Sequence, residues 1–465
     1  MSQTIPEVFE LQKAHSLTLR NTNSSQRKSK LRKLKSVIES CEKEIYEALL
    51  QDLGKPLFEA AMTEVYFVYA EIDFAIKNLG EWMKPKKVSS GLTALFSRNR
   101  IYYEPKGVSL IIAPWNYPFQ LLMSPLISAI SAGNCAILKP SEISSFTSAV
   151  VSKMISENFD PGEIACFVGD AEISKELLEL PFDHIFFTGG TNIGKVVMAA
   201  AAKNLTAVTL ELGGKSPVII DEHTDLKKTA EKIMWGKFMN AGQTCIAPDY
   251  VLIRPDQQDE FLRHSIQALK KHYYQYGKLD KSSYGKIING KNFDRLTSLI
   301  DEAREKGAVV SFGGEINEAE RIIEPVIVSN VSADCGLMQE EIFGPVLPLI
   351  NYRDLDDAIS FINQRPKPLA LYIFSDKKSV VERVIRQTSA GGTTVNDVMI
   401  HIANPRLPFG GVGESGFGSS HGFFGFKAFS HERAVMFQSS IDFNKLAYPP
   451  YGEKKGLLKW LKKSM

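Results

Sequence analysis

The sequence predicts an α/β protein built on a parallel sheet with helices on both faces. From residue 107 to residue 203, short apolar segments typical of buried strands alternate with segments of helical periodicity. Such alternation favours a parallel sheet, because each strand is reached from the previous one through a helix. The pattern resumes over 213–410 and indicates a second α/β domain. With 465 residues, the chain is long enough for two or three domains of ordinary size.

The N-terminal region is predicted to be helical. One amphipathic helix covers 25–50 and ends at Gly54 and Pro56. Its basic run, Arg27 to Lys35, is expected to form a solvated face. A second helical stretch covers roughly 57–83, and residues 86–106 are predicted to form a hairpin used in assembly. The apolar residues at helical spacing in the first helix are Leu31, Leu34, Ile38, Cys41, Ile45 and Leu49.

Polar and glycine residues follow the strands of the first α/β stretch. Its predicted strands are 107–113, 133–139, 164–168 and 184–188, and its predicted helices are 119–131, a helix from about residue 145, and 195–203. Asn116, Lys139, Glu142 and Gly189 lie at or just after strand ends. Ligands of parallel sheets bind beyond the carboxyl ends of the strands. We therefore expect a ligand site formed by these residues.

A single cysteine in a polar loop is the candidate nucleophile. Cys245 lies in Asn240-Ala-Gly-Gln-Thr-Cys-Ile-Ala-Pro, where Gly242 allows a sharp turn that brings N–H donors close to the sulfur. Such donors favour the reactive thiolate. Upstream, an apolar strand ends on Glu211 before a Gly-Gly break. Most cysteines are packing residues, but a nucleophile near a separately delivered base is the arrangement that covalent catalysis needs.

The composition excludes several other classes. The net charge is +2, so nothing indicates a nucleic-acid partner. The five cysteines are scattered and form no CxxC pair, which fits a reducing compartment. The N-terminus lacks a signal-peptide core, no run of 18 apolar residues occurs, and no metal-binding histidine motif is present. We therefore expect a cytoplasmic protein without a metal site.

Two glycine-rich loops come close to known motifs without matching them. The segment from Gly189 to Lys195 resembles a phosphate-binding loop, but Val196 replaces the hydroxyl that holds magnesium. A strand-to-helix turn of this kind still presents N–H groups to a phosphate. The loop after Leu407 lacks a nucleophile elbow, because Phe417 stands where the final glycine is required.

Seven motifs occur in order over about residues 107–416 and together resemble the aldehyde dehydrogenase superfamily. They are Pro114-Trp-Asn-Tyr-Pro, Leu138-Lys-Pro-Ser-Glu, Phe187-Thr-Gly-Gly, Leu210-Glu-Leu-Gly-Gly-Lys-Ser-Pro, Gly242-Gln-Thr-Cys, Glu341-Ile-Phe-Gly-Pro-Val and Pro408-Phe-Gly-Gly. A short N-terminus, Ile-Ala-Pro-Asp-Tyr after Cys245, and Arg365-Pro-Lys-Pro-Leu-Ala-Leu-Tyr resemble the class 3, fatty-aldehyde-like branch. Gly190 departs from the pattern, because the family often has serine there.

The resemblance implies a Rossmann-type cofactor domain, an α/β catalytic domain and a small bridging element for oligomerisation. The implied boundaries are 1–85 and 107–212 for the cofactor domain, 213–412 for the catalytic domain, 86–106 and 413–440 for the bridging element, and 441–465 for a C-terminal tail. It also implies a homodimer. The tail is basic and amphipathic, so it either docks on protein or makes weak peripheral contact with an anionic membrane.

The resemblance also implies a mechanism. Cys245 attacks the aldehyde carbonyl, while the Asn116 amide and the Cys245 main-chain N–H stabilise the oxyanion. Hydride passes to the nicotinamide, and Glu211 activates the water that hydrolyses the thioester. Tyr117, Thr244, Phe409 and His421 line the substrate entrance. An apolar entrance favours medium- or long-chain aliphatic and aromatic aldehydes.

The implied cofactor is NAD, with NADP as an alternative that this branch often accepts. Glu142 would accept a hydrogen bond from the 2′-hydroxyl and repel a 2′-phosphate. Lys139 and Glu142 would hold the adenosine ribose, and Glu341 the nicotinamide ribose. The cofactor-binding residues implied by the resemblance are Trp115, Lys139, Glu142, Gly189, Gly190, Gly194, Glu341 and Phe343.

Three other functions are weighed against this one. A CoA-acylating aldehyde dehydrogenase generally lacks the base at Glu211, so its presence argues against acyl transfer to CoA. A P-loop phosphotransferase is disfavoured by Val196. A non-catalytic family member is disfavoured by the presence of Cys245, Glu211 and Asn116 together.

Overall fold

The helices and strands follow the predicted alternation. The computed structural model describes residues 3–91 and 96–440 and, beyond these, residues 445, 448–452, 454 and 462. The helices are α1 (Ile5–Leu19), α2 (Ser24–Ser40), α3 (Glu42–Leu53), α4 (Leu57–Ala60), α5 (Tyr66–Trp82), α6 (Gln120–Ala132), α7 (Ser145–Asn158), α8 (Ala171–Leu178), α9 (Thr191–Lys203), α10 (Leu226–Phe238), α11 (Pro255–Tyr273), α12 (Gly290–Glu305), α13 (Gly336–Gln339), α14 (Leu355–Asn363), α15 (Lys378–Gln387) and α16 (Gly422–Ala428). A π-helical turn, Ala61–Val65, joins α4 to α5, and 3₁₀ turns cover Met239–Gly242 and Ile400–Ala403.

The strands form two large sheets and three small ones. They are β1 (Lys86–Val88), β2 (Arg98–Pro105), β3 (Val108–Ile112), β4 (Cys135–Lys139), β5 (Ile164–Cys166), β6 (His184–Thr188), β7 (Ala207–Glu211), β8 (Pro217–Ile220), β9 (Tyr250–Ile253), β10 (Tyr274–Gln275), β11 (Lys278–Leu279), β12 (Val309–Phe312), β13 (Ile316–Asn317), β14 (Ile322–Ile323), β15 (Val326–Ser329), β16 (Val346–Asn351), β17 (Ala370–Phe374), β18 (Gly392–Val395), β19 (Gly416–Phe417) and β20 (Ser430–Phe437).

The first large sheet has the order β19-β7-β6-β3-β4-β5. All of its neighbouring pairs are parallel except β19 with β7. Its strands are buried on both faces, because alternate residues belong to two different apolar clusters. Ile111, Leu138 and Phe186 face one cluster, and Leu110, Ile137 and Ile185 face the other. This confirms the predicted parallel sheet with helices on both faces.

The second large sheet has the order β12-β15-β16-β9-β8-β17-β18. Its pairs are parallel apart from β12 with β15. Helices α10, α11 and α12 contribute to the apolar cluster on one face, and α14 and α15 contribute to the cluster on the other. The α/β fold class predicted for both halves is therefore confirmed.

A three-stranded antiparallel sheet joins distant parts of the chain. β1 and β2 pair with each other, and β2 pairs along its full length with β20. Within 413–440, β19 instead extends the first large sheet, and α16 packs against α5 and α6. The chain therefore returns to the first large sheet before it reaches the three-stranded one.

The N-terminal helices differ from the prediction in three ways. The helix predicted over 25–50 is two helices, α2 and α3, because the chain turns at Cys41. Helix α1 was not predicted, although Thr4 and Glu7 form a capping box before it and offered a signal. Arg27 is not solvated: it is 3% exposed and its Nη1 donates to the carbonyls of Ser131 and Ala132 at 3.1 and 2.6 Å. These carbonyls end α6, where a cation is favourable.

No helix in the described ranges is long and apolar enough to cross a membrane. The predicted amphipathic tail, residues 453–465, lies outside the described residues apart from Lys454 and Lys462.

Candidate active site

One largely apolar cavity of about 260 Å³ holds most of the predicted reactive and substrate residues. Cys245 and Glu211 both line it, and so do Tyr117, Thr244, Phe409 and His421. The apolar lining includes Met62, Phe67, Leu121, Trp235, Met239 and Phe409. An apolar pocket with a few convergent polar groups is the usual form of a small-molecule site.

Glu211 ends β7 and points one carboxylate oxygen at a hydroxyl. Its Oε1 accepts a hydrogen bond from Ser420 Oγ at 2.9 Å, and Oε2 has no partner among the described residues. Burial raises the pKa of Glu211 to about 8, although the Ser420 hydrogen bond and the nearby charge of His421 act in the opposite direction. Such a pKa suits a group that exchanges protons near neutral pH.

Cys245 follows a strained turn. Asn240 and Ala241 adopt φ of +53° and +51°, and Gly242 adopts +74°. A side chain at Gly242 would lie 2.2 Å from the carbonyl oxygen of Gly344, so only glycine fits this close approach. The turn thus packs Gly242 closely against the segment that carries Phe343.

The electrostatic surroundings of Cys245 correct one expectation. Burial raises the pKa of the thiol, and the charges of Glu341 and Glu211 raise it further. The N–H groups of Cys245 and Ile246 lower it, as the polar loop predicted, but they do not outweigh burial. The surroundings of Cys245 therefore favour the neutral thiol, so the thiol has to lose its proton before or during its attack on a substrate.

Asn116 lies beside the cysteine loop. Its Nδ2 donates to the carbonyl oxygen of Gln243 at 3.1 Å, two residues before Cys245. Its own carbonyl accepts from Asn240 Nδ2 at 2.9 Å and from Lys55 Nζ at 3.2 Å. Lys55 was missed in the sequence, because a lysine between two helices carries no pattern that distinguishes it from a surface lysine.

The substrate-lining residues hold one another through polar and aromatic contacts. Tyr117 Oη and Thr244 Oγ1 are 2.8 Å apart, and the rings of Phe409 and His421 meet edge to face at 5.3 Å. His421 Nδ1 also contacts the buried carboxylate of Glu71. Burial opposes a charge on His421, but Glu71 outweighs burial and the pKa of His421 is raised.

The predicted adenosine-side residues lie at the end of β4. Lys139 is buried, and its Nζ donates to the carbonyl of Pro140 at 2.9 Å and to Glu142 Oε2 at 3.2 Å. The side chain of Glu142 keeps 46% of its surface exposed. A ribose could therefore reach Glu142 from solvent, while Lys139 stays fixed behind it.

The glycines after β6 have three different roles. Gly189 N donates to the Glu211 carbonyl at 3.0 Å, so it ties the turn to β7. Gly190 precedes α9 and provides no side-chain cap, and a Cβ there would meet no atom within 4 Å. A serine would therefore fit at this position. Gly194 packs against Leu212, since a Cβ would lie 2.7 Å from its Cδ2.

Trp115, Phe343 and Glu341 are the remaining predicted cofactor residues. The rings of Trp115 and Phe343 meet edge to face at 5.3 Å. Glu341 lines a neighbouring cleft with Gly213 and Lys215, and a Cβ on Gly213 would lie 2.1 Å from its Oε2. Burial raises the pKa of Glu341 to about 8. When ionised, Glu341 raises the pKa of the Cys245 thiol.

These features fit a dinucleotide. The first turn of α9 has N–H groups without a side-chain cap, which suits a pyrophosphate. A buried lysine beside a half-exposed glutamate suits a ribose, and the edge-to-face pair of Trp115 and Phe343 offers a surface for a planar ring.

Comparisons with known proteins agree with the geometry. The model of the aldehyde dehydrogenase family matches residues 3–435. The 4,4'-diaponeurosporen-aldehyde dehydrogenase of Staphylococcus aureus is 46% identical over 459 residues, 98% of this chain and 98% of the relative. Aldehyde dehydrogenase family 3 member A2 of Mus musculus is 44% identical over 440 residues, 94% of this chain and 89% of the relative.

Solved structures give the same result. The substrate-bound state of Staphylococcus aureus AldH superimposes with a TM-score of 0.94 at 45% identity and covers 99% of this chain and 100% of that one. PnpE in complex with nicotinamide adenine dinucleotide gives 0.85 at 25% identity, with 94% and 90% covered. The chain therefore belongs to the aldehyde dehydrogenase family, as a non-acylating enzyme that uses NAD or NADP.

Proposed function

We propose that this chain oxidises medium- or long-chain aliphatic and aromatic aldehydes to carboxylic acids, with Cys245 as nucleophile, Glu211 as general base and Asn116 as oxyanion donor. The observation that carries the proposal is the meeting of Cys245 and Glu211 in one apolar cavity. The thiol gives this cavity a nucleophile, and a carboxyl with a pKa near 8 gives it a group able to take a proton from the hydrolytic water.

Each residue has a defined task in the proposal. The Cys245 thiol releases its proton to solvent and its sulfur bonds to the aldehyde carbon, while the N–H groups of Cys245 and Asn116 hold the oxygen as it becomes negative. Bound NAD(P) supplies the hydride acceptor. Glu211, as a carboxylate, then takes a proton from water, whose oxygen displaces the Cys245 sulfur and releases the acid.

The cofactor side is assigned as follows. Lys139 and Glu142 hold the adenosine ribose, and the half-exposed Glu142 carboxylate favours NAD over NADP because it repels a 2′-phosphate. Glu341 holds the nicotinamide ribose. Gly189, Gly190 and Gly194 form the turn beside the phosphates and nicotinamide, and Trp115 and Phe343 pack near the nicotinamide. In this assignment the first large sheet is the cofactor domain and the second is the catalytic domain.

The substrate class is supported by the lining of the cavity. Apolar side chains from α6, α10 and the Ile400–Ala403 turn surround the cysteine, so an alkyl chain or aromatic ring loses water as it enters. Among saturated aldehydes of increasing length, kcat/KM should therefore increase with each methylene until the chain fills the cavity. A flat profile, with acetaldehyde as good as octanal, contradicts this substrate class.

The assembly proposed is a homodimer formed through the β1-β2-β20 sheet, in the cytoplasm. The free state of all five cysteines supports a reducing compartment. Light scattering at micromolar concentration tests the dimer, and a monomer mass contradicts it. The tail is proposed either to dock its apolar face on protein or to make weak contact with anionic membranes. Membrane contact predicts that the intact chain sediments with anionic vesicles at low salt and that deletion of 453–465 abolishes this sedimentation. Failure of the intact chain to sediment contradicts the membrane contact and leaves the docked tail.

The experiment that tests the catalytic proposal replaces the sulfur. Cys245→Ser should abolish NAD reduction with octanal, because a hydroxyl of high pKa replaces the thiol. Binding of NAD, followed by quenching of protein fluorescence, should persist. The matched control is Cys41→Ser at the junction of α2 and α3, which should keep activity. Substantial turnover by Cys245→Ser would remove the nucleophile from the proposal.

A further inference from the structure

The carbonyl oxygen of Asn116 accepts two buried hydrogen bonds. One comes from Asn240 Nδ2 at 2.9 Å and the other from Lys55 Nζ at 3.2 Å. Both donors are 1% exposed. Carbonyls in loops are commonly satisfied by water, so two buried side-chain donors on one loop carbonyl indicate that its position is tightly defined.

Asn240 also connects Asn116 to the cysteine loop. Its Nδ2 donates to the Gln243 carbonyl at 3.1 Å, and that carbonyl accepts from Asn116 Nδ2, also at 3.1 Å. An amide nitrogen has two N–H groups. Asn240 uses both on main-chain carbonyls that can only accept, which also fixes the orientation of its amide. The contact with Gln243 uses one N–H of the Asn116 side chain, and the other N–H has no hydrogen-bond partner among the described residues.

The arrangement is costly for stability. Asn240 adopts φ of +53°, which is uncommon outside glycine, although asparagine tolerates it better than most residues. Its Oδ1 is buried without a partner among the described residues. An unsatisfied buried oxygen offsets much of what the two hydrogen bonds contribute. Asn240 therefore contributes little net stability, and this favours a role in function.

The other donor, Lys55, is itself fixed by a buried ion pair. Its Nζ is 2.6 Å from Glu64 Oε1, with both side chains fully buried, and Glu64 Oε2 accepts from the Gln120 N–H at 2.8 Å. Because Gln120 begins α6, the Asn116 carbonyl is connected to a fixed helix on one side and to the cysteine loop on the other.

We propose that Asn240 is a positioning residue, whose side-chain amide holds the Asn116 carbonyl and the Gln243 carbonyl together and thereby fixes the Asn116 amide relative to Cys245. The inference rests on the proposed role of Asn116 as oxyanion donor. Small displacements of such a donor reduce the rate while leaving ground-state binding largely intact, because the interaction is strongest in the transition state.

The first test is Asn240→Gly, with Ala241→Gly as the matched control. Glycine adopts the left-handed φ of both positions without strain, and Ala241 is the adjacent buried residue in the same turn. Asn240→Gly removes both hydrogen bonds, and we expect kcat to fall by about 10- to 100-fold with KM changed less than about threefold. Ala241→Gly should stay within about threefold of the parent, since it removes no hydrogen bond. An equal loss of kcat in both variants would overturn the inference, because it would show that the rigidity of the turn, and not the Asn240 hydrogen bonds, determines the rate.

The second test uses Asn116→Ala as a background. If Asn240 acts through the Asn116 amide, Asn240→Gly should change kcat by less than about threefold once that amide is gone. A full additional loss would overturn the inference. Asn240→Asp, which keeps the size and replaces the donor with an acceptor, should reproduce the loss in the parent and lose its effect in the Asn116→Ala background. If Asn116→Ala itself leaves kcat unchanged, the proposed oxyanion role fails instead, so the two failures are distinguishable.

Discussion

The two ends of the candidate site use the same side chain in opposite surroundings. At the cysteine end, Glu211 is 4% exposed, lies in an apolar cavity, and has one oxygen without a partner among the described residues. At the end that we propose for the adenosine, Glu142 is half-exposed and pairs with Lys139. Burial disfavours the charged form of a carboxyl, whereas water and a neighbouring ammonium favour it. One end is therefore built for proton exchange, and the other presents a charge that can discriminate between ligands.

The largest expected effect comes from neutralising the buried end. Glu211→Gln keeps the shape but removes the base, so the first turnover should yield a burst of reduced cofactor while steady turnover falls at least about 100-fold. Stopped-flow absorbance of the reduced nicotinamide measures both phases. Glu142→Gln is the matched control at the exposed end, and it should retain steady turnover. Undiminished steady turnover in Glu211→Gln would show that another group acts as base.

The pH dependence sharpens the comparison further. Because the pKa of Glu211 is raised to about 8, its base form is scarce at pH 6, and steady turnover should increase as the pH passes through about 8. The Cys245 thiol also has a raised pKa. The rate of the burst in Glu211→Gln should therefore still increase with pH, but only because the thiol loses its proton. A pH profile of kcat that is flat from 6 to 9 contradicts the assignment.

The stability of the folded protein should decrease as the pH increases, whereas steady turnover increases. A carboxyl whose folded pKa is raised favours the folded state fully below its unfolded pKa, and this contribution is lost as the pH increases through about 8. The Tm of the parent should therefore fall relative to that of Glu211→Gln between pH 5 and 9. Glu341, whose pKa is also raised to about 8, adds the same trend to both proteins and cancels in the difference.

The smallest expected effect is at the exposed end. Glu142→Gln removes a charge that water already screens, so the ratio of kcat/KM for NAD to that for NADP should fall by only about fivefold, equivalent to roughly 1 kcal/mol. Steady-state kinetics with both cofactors measures the ratio. An unchanged ratio would mean that Glu142 does not face the 2′ position.

Sequence patterns alone determined the elements of the site that are local in the chain. β6 has the bounds that the apolar segment predicted, because the strand period is set by neighbouring residues. The strand ends then placed Lys139 and Glu211 at the same edge of the first sheet. The motifs that surround Cys245 and Glu211 predicted the family, which the comparisons confirm.

Only the tertiary structure decided the charges and contacts between distant segments. Lys55 and Arg27 look like surface cations in the sequence, yet each is buried on loop or helix-end carbonyls. The polar loop around Cys245 predicted a stabilised thiolate, whereas burial favours the thiol. Periodicity reports which face of one element is apolar. It carries no information about which distant carbonyl or carboxylate meets a given side chain, or how much water remains around it, and those two quantities set the pKa values and the hydrogen bonds of this site.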